Sequence, residues 1–291
     1  IGDVVLKLDG EDIEKVIDRK KEYIPVPNDE KLSTLYPYLL TSKEDMMELT
    51  VLRNGKEKTF SVTASPENYA SCYLSLRHQH DEGMSYQIID DNIGLIRLQN
   101  PLEISVKEMM EQLKNTDGIV IDLRQGIQPT FDISNFHRYF CSDYQSAAQM
   151  IVPSQAIPGA YQSILASAGS TQTEREMLGI YFYQKPVVLL VNENVVSSGE
   201  YAAMLMAVGE NVVLLGENTR GADGNVAYLP LPGNLQITFS SMGVFGPNME
   251  QVQRIGLTPD IEVHPTIEGI KEGKDELKEA AVSYIQEQNA K

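Results

Sequence analysis

Residues 185–209 read KPVVLLVNENVVSSGEYAAMLMAVG and carry the clearest structural signal in the chain. Five branched or Leu residues at 187–191 lie between Pro186 and the polar run Asn192-Glu193-Asn194. That length and composition suit a strand buried on both faces. A polar turn through Ser197-Ser198-Gly199 follows, and then small and apolar residues that predict a helix over about 199–208.

The same alternation extends to either side. Strands are expected at 92–98, 118–123 and 212–215, and helices at 106–113 and 131–139. Two more strands, 226–229 and 235–242, flank Pro232-Gly233 and read as a hairpin, and a Lys/Glu-rich packing helix is expected over 268–288. Strands alternating with helices predict an α/β domain built around a largely parallel sheet.

The first 65 residues differ. A strand at 4–8, a turn at Asp9-Gly10, a helix from about 11–12, and strands 47–51 and 58–62 about an Asn54-Gly55 hairpin turn make a small β-rich unit. The polar stretch 66–84, with His78 and His80, reads as a linker, and 85–291 as the larger domain.

With 291 residues, 24 basic and 41 acidic side chains, the net charge of −17 argues against nucleic acid or anionic lipid as a partner. No apolar run is long enough to span a membrane. Cys72 and Cys141 match no metal-ligand spacing; the sequence allows two buried thiols or one disulfide. No His or acidic pair has metal spacing, and the glycines at 216, 221 and 224 precede no Gly-Lys-Ser/Thr, so neither metal, nucleotide nor any other cofactor is expected. The opening Ile1-Gly2-Asp3 reads as internal to a longer chain.

A hydroxyl at a strand-to-helix junction sits where backbone N–H groups and the helix dipole stabilise a developing oxyanion, which suits Ser197 as a nucleophile. A Ser in that place also serves as an ordinary N-cap. Glu200, on the first turn of the helix, complements its dipole with or without a catalytic role. Asp223 lies in the glycine loop, where Asp-Gly also makes a simple turn. The four histidines, His78, His80, His137 and His264, have no spacing that singles out a base.

Four blocks in order, GIVIDLRQG (118–126), the PVVLLVN strand with Ser197 three residues before Glu200, VVLLGENTRGADGNV (212–226) and RIGLTPDIEV (254–263), resemble the C-terminal processing (tail-specific) serine proteases. The opening GDVVLKLDG, its helix and LTVLRNGKEKTFSV resemble part of a PDZ domain as those proteases carry it. The resemblance implies a ClpP/crotonase-like layered ββα protease domain and a peptide or protein substrate. It also implies Ser197 as nucleophile, an oxyanion hole from the backbone N–H groups of Ser198 and Gly126, support from Gln253, and a place in the periplasm or cell envelope. The family's usual dyad lysine falls at Ala222, and tricorn-type relatives use a histidine on the first strand, where this chain has Arg97. A methyl group cannot deprotonate a serine. The general base is therefore open, with the histidines and Asp223 as candidates. A pseudo-protease that binds peptides on the same fold is the alternative, and an acyl-CoA hydratase relative shares the layers without a CoA signal.

Overall fold

The structure, a computed structural model, describes residues 2–23, 44–63, 85–89 and 92–291. The expected linker, with Cys72, His78 and His80, lies outside the described residues. The chain divides into two compact units, one of residues 1–82 with 265–276 and one of 83–264 with 277–291.

In the first unit β1 (Val4–Leu8), β2 (Glu11–Asp12), α1 (Ile13–Lys21), β3 (Met46–Arg53) and β4 (Lys56–Thr63) form an antiparallel sheet in the order β2-β1-β3-β4 with one helix. Asn54 and Gly55 both have positive φ, 51° and 72°, the backbone that a two-residue hairpin between right-twisted strands requires. Leu8, Val16 and Met47 close a small core.

The second unit begins with β5 (Tyr86–Ile89), β6 (Ile93–Arg97), α2 (Val106–Leu113), β7 (Gly118–Asp122) and α3 (Ile133–Phe136), which runs into a 3-10 turn at His137–Tyr139. Next come β8 (Gln145–Pro153), β9 (Tyr161–Ala168), α4 (Gln172–Leu178), β10 (Val187–Val191), α5 (Ser198–Ala207) and β11 (Val212–Gly216). The hairpin β12 (Val226–Leu231) and β13 (Leu235–Ser240), then β14 (Gly243–Phe245) and β15 (Ile261–Glu262), precede α6 (Ile267–Glu272), which belongs to the first unit, and α7 (Glu276–Asn289).

The main sheet has the order β15-β11-β10-β7-β6-β5, parallel throughout except for the antiparallel β5–β6 pair. Alternate side chains separate two cores. Ile119, Ile121, Leu189 and Val191 pack with α2 and α5 on one face, while Val120, Val188 and Leu190 pack with Leu277, Ala281 and Ile285 of α7 on the other. A parallel sheet covered on both faces needs continuous apolar strands, which is why β10 is buried at every position.

A second sheet, β14-β8-β9, lies against the far side of α5. Ala202, Ala203 and Met206 of α5 face the main sheet, and Met204 and Leu205 face the second. The helix is therefore apolar nearly all round, as a helix between two layers must be. The sequence pattern predicts no strand between 139 and 187, yet β8, β9 and α4 occupy that stretch. The tail helix expected over 268–288 is two helices, because Gly273 takes φ +70° and ends α6 with a left-handed cap. The helix expected over 131–139 is one short turn of α-helix and a 3-10 turn.

Candidate active site

β7, β10 and β11 are adjacent and parallel, so the loops that leave their carboxyl ends, 123–126, 192–197 and 217–225, emerge at one edge of the sheet. Ligands of open α/β sheets bind at that edge. Ser197 stands there as the N-cap of α5, exposed, with φ +52° and ψ −118°. An L-residue in that conformation carries strain of about 1–3 kcal/mol, which the surroundings must hold.

Glu200 supplies much of that hold. It is fully buried, and its Oε1 accepts the Thr219 hydroxyl at 2.5 Å and the Gly221 N–H at 2.7 Å. Its Oε2 accepts the Ala222 N–H at 3.0 Å and the Ser197 N–H at 3.3 Å. The Ser197 N–H also reaches the Ala222 carbonyl, at 3.2 Å. One carboxylate thus ties the serine's backbone to the glycine loop; the dipole role read from sequence accounts for only part of what it does. The Ser198 N–H, at the start of α5, has no acceptor among the described residues and is available to an oxyanion. The Gly126 N–H, the expected second donor, is engaged instead: it donates to the Leu123 carbonyl at 2.9 Å and closes the turn after β7. Arg124 fixes that turn through a fork onto Asp122, at 2.9 and 2.7 Å.

Asp223 is buried, and its Oδ1 accepts the Gly224 N–H at 2.6 Å. Its Oδ2 is buried without a hydrogen-bond partner among the described residues. Burial, with Glu200 nearby as a like charge, pushes the carboxyl up to about 6. Gln253 steadies this loop by donating to the carbonyls of Asp223 and Met242, each at 2.8 Å. The Ser240 hydroxyl donates to the same Asp223 carbonyl at 3.0 Å.

Thr219 was not singled out from sequence, yet it links two of the blocks. Its Oγ1 receives the Leu257 N–H at 2.7 Å while donating to Glu200. The strand-like contact continues with Thr219 N–H to the Leu257 carbonyl and Arg254 N–H to the Gly221 carbonyl. A Cβ on Gly256 would lie 2.2 Å from the Thr219 carbonyl oxygen and one on Gly221 2.7 Å from the Gly256 nitrogen, so the two loops meet backbone to backbone. These glycines are needed for packing whatever the chemistry.

No side-chain base among the described residues hydrogen-bonds the Ser197 hydroxyl. His137 is buried, accepts the Gly169 N–H on Nδ1 at 3.1 Å, and burial brings it down to about 4. His264 is held between Glu217 and Glu262, both at 2.7 Å, which raises its affinity for a proton. Ala222 contributes its backbone to the site and no ionisable group. Cys141 is a free, buried thiol. No helix among the described residues is long and apolar enough to cross a membrane.

The model of peptidase family S41 matches residues 143–263, which include β10, α5, the glycine loop and the closing Gly-Leu-Thr-Pro-Asp block. Among curated protein sequences, none matches the chain. Solved structures share its fold. A serine-to-alanine variant of CPAF aligns with a TM-score of 0.70 at 13% identity, over 98% of this chain and 78% of that one. Mature CPAF complexed with lactacystin gives 0.66 at 13% identity, over 99% and 76%. A candidate peptidase of Parabacteroides merdae gives 0.59 at 17% identity, over 95% and 90%. Over residues 143–263 the chain is thus similar to peptidase family S41, and the solved structures share its layered α/β fold.

Proposed function

We propose that the chain is a catalytically competent serine endopeptidase that acts through an acyl-enzyme on Ser197. The observation that carries this reading is the strained, exposed Ser197 on the N-terminus of α5, its backbone held by Glu200, with an N–H beside it at Ser198 that has no acceptor among the described residues. A serine used only as a cap has no need of φ +52°. Ser197 Oγ attacks the scissile carbonyl, the Ser198 N–H receives the oxyanion, the C–N bond breaks, and water hydrolyses the ester.

Asp223 is the residue we assign to receive the Ser197 proton and return it to the leaving amine, directly or through one water. It follows the Ala222 whose carbonyl meets Ser197, and it keeps an oxygen without a partner. A carboxyl near 6 is ionised at neutral pH and more basic than an ordinary one. The family's first-unit role follows in the same reading: residues 1–65 form a PDZ-like unit that captures an extended peptide, 66–84 link it to the catalytic domain 85–291, and the enzyme works outside the cytoplasm.

Ala222 in the lysine position supports a second reading, a pseudo-protease that binds peptides without turning them over. Digestion of a denatured-protein or peptide library, read by mass spectrometry, separates the two. The peptidase gives new termini that disappear in Ser197→Ala; a pseudo-protease gives none, with parent and variant binding the same peptides.

A further inference from the structure

Two long stretches, 144–173 and 224–249, contain no Asp, Glu, Lys, Arg or His in a chain of net charge −17. They fold together. β8 and β9 come from the first and β12, β13 and β14 from the second, and β14 pairs with β8. A groove lined by Val152, Gln162, Asn225, Ser241 and Met242 joins the base of the β12–β13 hairpin to the β8–β9 strands, so the neutral surface is continuous.

The hairpin is a two-stranded sheet of its own. Its register places Ala227 opposite Phe239, Leu229 opposite Ile237 and Leu231 opposite Leu235. Directly opposed residues share a face. All six apolar side chains therefore line one face, while Ser240, Thr238 and Gln236 occupy the other with Val226, Tyr228 and Pro230. Phe239 is 52% exposed, Leu229 and Ile237 49%, and Leu235 64%. A two-stranded ribbon with an uncovered apolar face is marginal in water.

We propose that this face is the contact between two copies of the chain, related by a two-fold axis. Its exposed apolar area is on the order of 450 Å², taking a large apolar side chain as about 150–200 Å². A standard interface buries about 800 Å² per partner, a little over half of it apolar, so the face supplies the apolar share of one side of a stable dimer, the neutral polar surface beside it supplying the rest. Charge decides the partner. Two copies of a chain at −17 repel wherever their acidic surfaces approach, and the uncharged face is where they meet without that repulsion. A basic partner would be drawn to the acidic surface instead. A substrate, present only during turnover, would leave the face wet for most of the enzyme's life. Among the described residues β9 is also the edge of its sheet, uncharged, with Tyr161, Ile164 and Leu165 exposed, and such an edge is open to pairing with another chain. The inference does not depend on Ser197 being active.

Sedimentation velocity on the full chain, from nanomolar to about 50 µM, tests it. The expected species is twice 32.4 kDa. Leu229→Glu with Ile237→Glu, which set like charges on the apolar face, converts it to monomer, while Thr238→Glu on the opposite face leaves it dimeric. A monomer at every concentration overturns the proposal, including the case in which other residues of the same chain cover the hairpin. A dimer indifferent to the double substitution overturns it as well. Should the double variant lose its fold by circular dichroism, hydrogen exchange of the wild-type hairpin decides. Protection of β12 and β13 that grows with protein concentration supports the contact, and concentration-independent exchange refutes it.

Discussion

At the scale of single residues, the site stores unfavourable terms that measurements of stability expose. Ser197 at φ +52° and ψ −118° occupies backbone space that glycine enters freely. Ser197→Gly is expected to be more stable than Ser197→Ala by about 1 kcal/mol in urea midpoints, because only glycine relieves the strain that both would otherwise share. Asp223 and His137 act on pH dependence with opposite signs. Asp223 rises from 3.8 to about 6 on folding, so the native state holds its proton more tightly. Its unfavourable contribution is absent below 3.8 and complete above about 6, on the order of 3 kcal/mol. His137 falls from 6.5 to about 4, so its contribution is favourable above 6.5 and is lost as pH falls towards 4. Asp223→Asn is expected to raise the melting temperature at pH 7, converge with the wild type near pH 4, and show the His137 loss that Asp223 otherwise offsets. Parallel curves for parent and variant across that window would contradict the assignment. The buried strand, the polar turn and the small-residue helix were legible in the sequence, but that turn exposes two hydroxyls, Ser197 and Ser198, and only the resemblance separates them. The burial of Asp223 was not legible, because Asp-Gly reads as a surface turn until Gln253 and Ser240 are folded onto its carbonyl.

At the scale of elements, α5 and the glycine loop behave as one piece because Glu200 joins them. Glu200→Ala removes the acceptor of three N–H groups and the Thr219 hydroxyl in a dry setting, with an expected loss of about 3–5 kcal/mol by thermal or denaturant unfolding. Glu200→Gln keeps the shape and is expected to lose less. An alanine variant as stable as the parent would mean that the network does not hold the serine. Gly256→Ala belongs to the same junction and is expected to destabilise whether or not the enzyme is active, since its Cβ would meet the Thr219 carbonyl. The parallel strands and the Asn-Gly hairpin were readable from composition and turn chemistry. β8 and β9 were not: their Ala, Ser and Gln residues give neither a clear alternation nor a helical stripe, and only packing against α5 makes them strands. The tail helix was overextended because Lys/Glu periodicity continues through the glycine that ends α6.

At the scale of the whole molecule, the layers put α5 at the centre of the second unit, with a sheet on either side and Ser197 at its exposed end. The four blocks read from sequence join backbone to backbone and hold the fold together, which is why the fold was legible while a base was not. A base is a matter of where one side chain points, and Ala222 removes the usual one. The most direct measurement is the rate of fluorophosphonate labelling, read by intact mass from pH 4 to 9, on the wild type, Asp223→Asn and Ser197→Ala. One adduct is expected, absent in Ser197→Ala, whose rate climbs through about pH 6 and is slow and flat in Asp223→Asn. No adduct on a folded wild-type chain, or a rate unchanged in Asp223→Asn, would contradict this expectation.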